Sequence, residues 1–186
     1  MRDILPESRM SETRHAAATP EHGLGLVRGS WSWPAMGWLS GGLGALVVAV
    51  FFLIVDLLAS RPLWTPTALG SALFLGKRIR ADAEPVLEIV AGYTGIHFLT
   101  FAGVGLLTTL LLSKRPHQRS PWAMIVVAGA LYVALELFFA GFALLAPELR
   151  HDLGGWRVSA ANALAAITMA LFIGVLSGRE RPDVAK

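Results

Sequence analysis

Across 186 residues the chain is 54% apolar and only 16% charged, with a mean hydropathy of +0.57, a balance that excludes an ordinary soluble domain and indicates a polytopic membrane protein. Cysteine is absent, which removes disulfides, thiolate nucleophiles and cysteine-ligated zinc or iron–sulfur centres. The net charge of +3 falls in short basic clusters beside apolar runs, a pattern of bilayer topology signalling and not of nucleic-acid binding.

Residues 1–35 begin as a polar stretch with scattered charge and no periodic apolar face, which reads as a mobile cytoplasmic tail. No apolar core follows its first basic residues closely enough for a cleavable signal peptide, so the first apolar run is expected to stay as an anchor. Trp31, Trp33 and Trp38 crowd the start of that run, where indole rings favour the headgroup level.

Residues 36–60 form the first expected span, long enough at 1.5 Å per residue to cross about 30 Å of hydrocarbon. Gly37, Gly41, Gly42 and Gly44 lie in its early part, at a spacing that lets a second helix backbone come close. Asp56 lies near its far end, within expected reach of water or Arg61. Residues 61–84 make an outer loop. Its apolar segment, 67–76, is too short to span, so it is expected to lie in the interface or to dip in and return, as a lid on the bundle or as a surface anchor. Thr65 or Thr67 is placed to cap its start.

The second span, 85–112, divides into two faces at helical spacing. Glu88, Gly92, Gly95, Leu99 and Gly103 form an expected packing groove, and Tyr93, His97, Thr100, Val104 and Thr108 form a polar stripe. His97 is deep in the hydrocarbon, as a hydrogen-bonded packing residue or as a group for proton transfer or ligand binding. A short cytoplasmic turn, 113–120, is expected to make spans two and three antiparallel neighbours.

The third span, 121–146, carries Glu136 among Leu, Val, Phe and Ala, on a stripe with Gly129, Tyr132, Ala140 and Ala143 that is expected to meet another helix. A polar outer turn, 147–155, leads to the fourth span, 156–177. Arg157 and Asn162 lie on its first turns, and a small-residue stripe runs through Gly155, Ser159, Asn162, Ala166 and Ala170. Residues 178–186 form a basic cytoplasmic end. The fold class expected is all-α: an integral membrane four-helix bundle with an interfacial or re-entrant short helix between spans one and two.

Orientation follows from the basic residues. With the amino terminus inside, ten Lys or Arg face the cytoplasm and six face out, so both termini are expected in the cytoplasm. In that arrangement His97, Glu136 and Asn162 fall within roughly 6 Å of one level in the outer half of the bilayer, with Asp56 nearer the surface. An intramembrane polar cluster of Glu136, His97, Asn162, Asp56 and Tyr93 is therefore expected. Its carboxylates need a neutraliser: a proton on Glu136, a histidinium at His97, Arg157 reaching in as charge partner, or a bound cation.

Three classes of function are open to such a chain. The first is a structural or accessory membrane subunit whose polar groups fasten the helices. The second is a proton- or cation-binding transport module built on the cluster. The third, an enzyme or redox protein, has the least support: one histidine with two carboxylates is a thin metal set, and no bis-histidine haem pair, HExxH or nucleophile triad is present. No cofactor is implied and no metal is assigned. The expected partners are the lipid bilayer and a membrane protein or a second copy of the chain, with no nucleic acid.

The pattern His97-Phe98, Glu136-Leu137-Phe138-Phe139 and Asn162-Ala163-Leu164-Ala165-Ala166, spread over spans two to four, resembles small bacterial four-span membrane proteins of no assigned activity. That resemblance implies a bacterial inner-membrane location and carries no catalytic residue across.

Overall fold

The computed structural model describes residues 32–113, 121–145 and 151–178. Every named element in them is a helix: α1 (Trp33–Leu58), α2 (Trp64–Leu75), α3 (Leu87–Ser113), α4 (Pro121–Leu145) and α5 (Gly155–Gly178). All but α2 are long and apolar enough to cross a membrane. Their outer faces agree: on α4 alone Trp122, Ile125, Val126, Val133, Leu137, Phe138 and Leu144 are exposed, a surface suited to hydrocarbon and not to water. The chain is therefore a four-helix membrane bundle. Residues 1–31, 114–120, 146–150 and 179–186, and with them the tail, Trp31 and cytoplasmic-turn readings, lie outside the described residues.

The helices pack in the spatial order α2, α3, α1, α5, α4. Spans two and three, expected as antiparallel neighbours, touch only marginally, for α3 packs mainly on α1 and α4 on α5. The reason is the first span's glycine face, which takes up α3 itself. A Cβ on Gly37 would lie 2.6 Å from Thr109 Oγ1 and 2.7 Å from Leu106 Cα, one on Gly41 would meet the backbone of Phe101 and Ala102, and one on Gly105 would meet Gly37 O and Gly41 N. Backbones pack directly here, as small residues allow. Gly44 turns to Met169 of α5, while Gly42 faces open space.

Two expected faces are corrected by this arrangement. On α3 the packed stripe is Phe101, Ala102, Gly105 and Thr109; Gly95 and Gly103 face open space and Leu99 is exposed. On α4 the buried residues are Leu131 and Leu135, while Gly129 has nothing near it and Glu136 sits at the edge of the packed face. Large leucines fill the α4–α5 joint because α5 already presents its small residues there. The expected α5 stripe does pack: Asn162, Ala166 and Ala170 are buried, beside Ala161, Ala165 and Met169.

Helix α2 starts three residues earlier than the expected 67. It packs along α3, where a Cβ on Gly70 would meet Ile89 and Tyr93, and seven of its twelve residues are buried. The link that turns the chain back from α1 is tight, with Ser60 (φ 55°) and Leu63 (φ 62°) both left-handed, a conformation costing about 1–2 kcal/mol for a residue with a Cβ. Something must hold it, and Asp56 does.

Candidate functional site: the intramembrane polar groups and the cavity between them

Asp56 is fully buried at the end of α1. One carboxylate oxygen accepts from the backbone N–H of Thr65 and the other from Thr65 Oγ1, both at 2.7 Å. Thr65 is in the first turn of α2, whose own flanking residues give no side-chain cap. Asp56 therefore caps α2 from the preceding helix, and the positive end of the helix dipole favours a carboxylate there. Two expectations are corrected: the Asp56 carboxylate, buried from solvent, does not meet the Arg61 side chain, and neither Thr65 nor Thr67 is the cap. Thr67 Oγ1 donates back to Leu63 O at 2.8 Å. Arg61 instead lays its guanidinium over the Trp64 ring at 3.9 Å.

His97 projects from α3 towards α1, and its Nε2 lies 3.1 Å from Ala45 O. A carbonyl only accepts, so Nε2 carries the proton and the ring donates. Tyr93 stacks on the ring at 5.8 Å between centroids, and Phe101 tilts against it at 4.8 Å. The hydrogen-bonded packing reading of His97 matches this geometry.

Glu136 meets α5. Asn162 Nδ2 donates to Oε1 at 2.9 Å and Ser159 Oγ to Oε2 at 3.2 Å. The expected juxtaposition of Glu136 with Asn162 is thus present, and Ser159 joins it. Arg157 does not serve as the charge partner; its guanidinium lies over Trp156 at 5.6 Å. A further joint comes from Ser40, fully buried, whose hydroxyl points at Met169 O at 3.5 Å.

The polar groups thus divide into separate pairs: Asp56 with Thr65, His97 with α1, and Glu136 with α5. Among the described residues no three His, Asp or Glu side chains converge as a metal site would require. Yet Asp56, Tyr93, His97 and Asn162 all line one cavity of about 400 Å³. Its walls are mostly apolar, with Leu53, Phe101, Leu135, Phe139 and Phe142 among them. The cavity fills the space where α3 and α4 fail to meet, in the half of the bundle nearest α2.

Sequence reasoning missed Thr65 as the partner of Asp56 and Ser159 as a partner of Glu136. An acidic residue closing one helix just before a tight link into the next was the available signal for the first. For the second it was the position of Ser159, one turn before Asn162 on the same stripe. The Ala45 carbonyl left no trace in the sequence, since any residue supplies one. No protein-family model, curated protein or solved structure matches the chain, so the functional reading stands on this geometry.

Proposed function

We propose that the protein is a structural or accessory subunit of a bacterial inner membrane, with both termini cytoplasmic, whose intramembrane polar groups fasten its helices together. The observation that carries the reading is the pairwise division of those groups. Asp56 ties α1 to α2, His97 ties α3 to α1, and Glu136 ties α4 to α5. Polar groups at membrane depth need such partners, because hydrocarbon offers none. Flank-placed basic residues and the resemblance to small bacterial four-span proteins support the location and orientation.

One observation favours a proton- or cation-transport module as the second reading: Asp56, Tyr93, His97 and Asn162 share a cavity. Flux separates the two. Liposomes holding the purified protein, loaded with a pH-sensitive dye and subjected to a proton or sodium gradient, are expected to leak no faster than protein-free liposomes, and Glu136→Gln is expected to change stability alone. A protein-dependent flux abolished by Glu136→Gln or His97→Gln would replace the fastening reading with transport.

A further inference from the structure

Beside the apolar cavity lies a second recess of a different character. A cleft of about 550 Å³ is lined by Arg61, Trp64, Arg78, Arg80, Asp82 and Asp152, with Ile79 and Ala81. Two of its cations are matched: Arg78 reaches Asp152 through Nε at 2.8 Å and Nη2 at 2.7 Å, and Arg80 reaches Asp82 at 3.0 Å. Arg61 has no carboxylate partner among the described residues. Its guanidinium carbon lies 3.9 Å from the centre of the Trp64 ring, whose Nε1 donates to Arg80 O at 2.9 Å, and its Nε is enclosed without an acceptor among the described residues. Among the described residues the cleft thus carries one positive charge without a carboxylate partner, on a fork of donors suited to phosphate oxygens.

The cleft and the cavity share two walls. Trp64 lines the cleft while Leu63 and Thr65 line the cavity, and Asp152 lines the cleft while Leu153 lines the cavity. The apolar cavity also opens sideways: Val50, Leu53, Ile96 and Phe138 line it and are exposed on the surface that meets hydrocarbon. Its volume is that of a small-molecule site. An apolar recess open to the membrane, adjoining a cationic cleft at the end of the bundle, matches one kind of molecule in both halves.

We propose that this corner binds an anionic phospholipid, with the phosphate at Arg61 in the cleft and one acyl chain in the cavity beside Val90, Tyr93 and Phe139. The cavity's polar edge has groups to spare for the ester region, since the hydroxyls of Tyr93 and Thr100 make no hydrogen bond within the described residues. This goes beyond the fastening role, because the site would hold even where the protein has no protein partner.

The test uses the full chain, stripped of lipid in detergent and titrated while bound lipid is read by native mass spectrometry. The probes are phosphatidylglycerol, phosphatidylcholine with the same chains, oleyl alcohol and inorganic phosphate. Phosphatidylglycerol is expected to bind tightest, and inorganic phosphate is expected not to compete with it. Arg61→Gln should weaken phosphatidylglycerol about tenfold, the effect of one charge-assisted hydrogen bond, with Arg61→Lys recovering part of the loss. Val90→Trp, which fills the cavity from a half-buried position, should weaken both phospholipids and the alcohol while the thermal transition stays in place. Displacement of phosphatidylglycerol by inorganic phosphate, or unchanged binding in folded Val90→Trp, would overturn the chain half of the proposal. Equal affinity of wild type and folded Arg61→Gln for phosphatidylglycerol would overturn the phosphate half.

Discussion

The two halves of the bundle are built on opposite principles. Towards the start of α1, helices meet backbone to backbone: Gly37 and Gly41 lie on Ala102, Gly105 and Thr109, and Gly44 receives Met169. In the half next to α2, side chains intervene. His97 and Phe101 stand between α3 and α1, Asp56 reaches across to α2, and a cavity separates α3 from α4. Lipid gives helices no hydrophobic reason to associate, so one half is held by close van der Waals contact and the other by hydrogen bonds. Close contact leaves no space; hydrogen bonds at a few points leave room for a ligand.

The sharpest way to break the comparison is in the closed half. Gly41→Leu puts its side chain into the Phe101 and Ala102 backbone, which cannot move aside, and is expected to cost about 3 kcal/mol or more in denaturant unfolding in detergent. Gly42→Leu, one residue away and facing open space, should change stability by less than about 0.5 kcal/mol. Equal losses at both positions would mean that the α1–α3 contact is not the close one described.

In the open half the largest effect is expected at Asp56. Asp56→Ala strands two buried donors of Thr65, so unfolding should become easier by about 3 kcal/mol, and proteolysis should begin near the 59–63 link. Asp56→Asn keeps an acceptor and should lose roughly half as much. Val90→Trp is expected to be nearly neutral, within about 1.5 kcal/mol, because the cavity receives the added volume. A loss as large as that of Gly41→Leu would show that the cavity is not open. A small loss is expected for Glu136→Gln, which retains an acceptor for Asn162 and should cost about 0.6 kcal/mol in the same unfolding assay.

The same contrast explains what was legible in the sequence. The spans were plain because bilayer thickness fixes both the length and the composition of a crossing helix. The glycines of the first span also announced a close contact, though not its partner. Partner choice depends on which of several small-residue faces fit together: Gly92, Gly95 and Gly103 made as good a stripe as Ala102, Gly105 and Thr109, and only the second meets α1. The shortness of the 113–120 turn misled for the same reason, since a short link limits where α4 can begin without making it pack on α3. Of the polar groups, depth was readable from position along each helix, and it brought Glu136 and Asn162 together correctly. Rotation about the helix axis was not readable, and it sends His97 to the Ala45 carbonyl and Asp56 to Thr65.

The fastening account rests most directly on the bond between Glu136 and Asn162, 2.9 Å long. A double-mutant cycle on these two residues, with Glu136→Leu, Asn162→Leu and the pair unfolded in lipid bicelles, measures it. Interhelical hydrogen bonds in membranes are worth roughly 0.5–1.5 kcal/mol, and a coupling energy in that range is the predicted result. A coupling of zero would contradict the account, for the shorter of the two bonds that join Glu136 to α5 would then contribute nothing to holding α4 there.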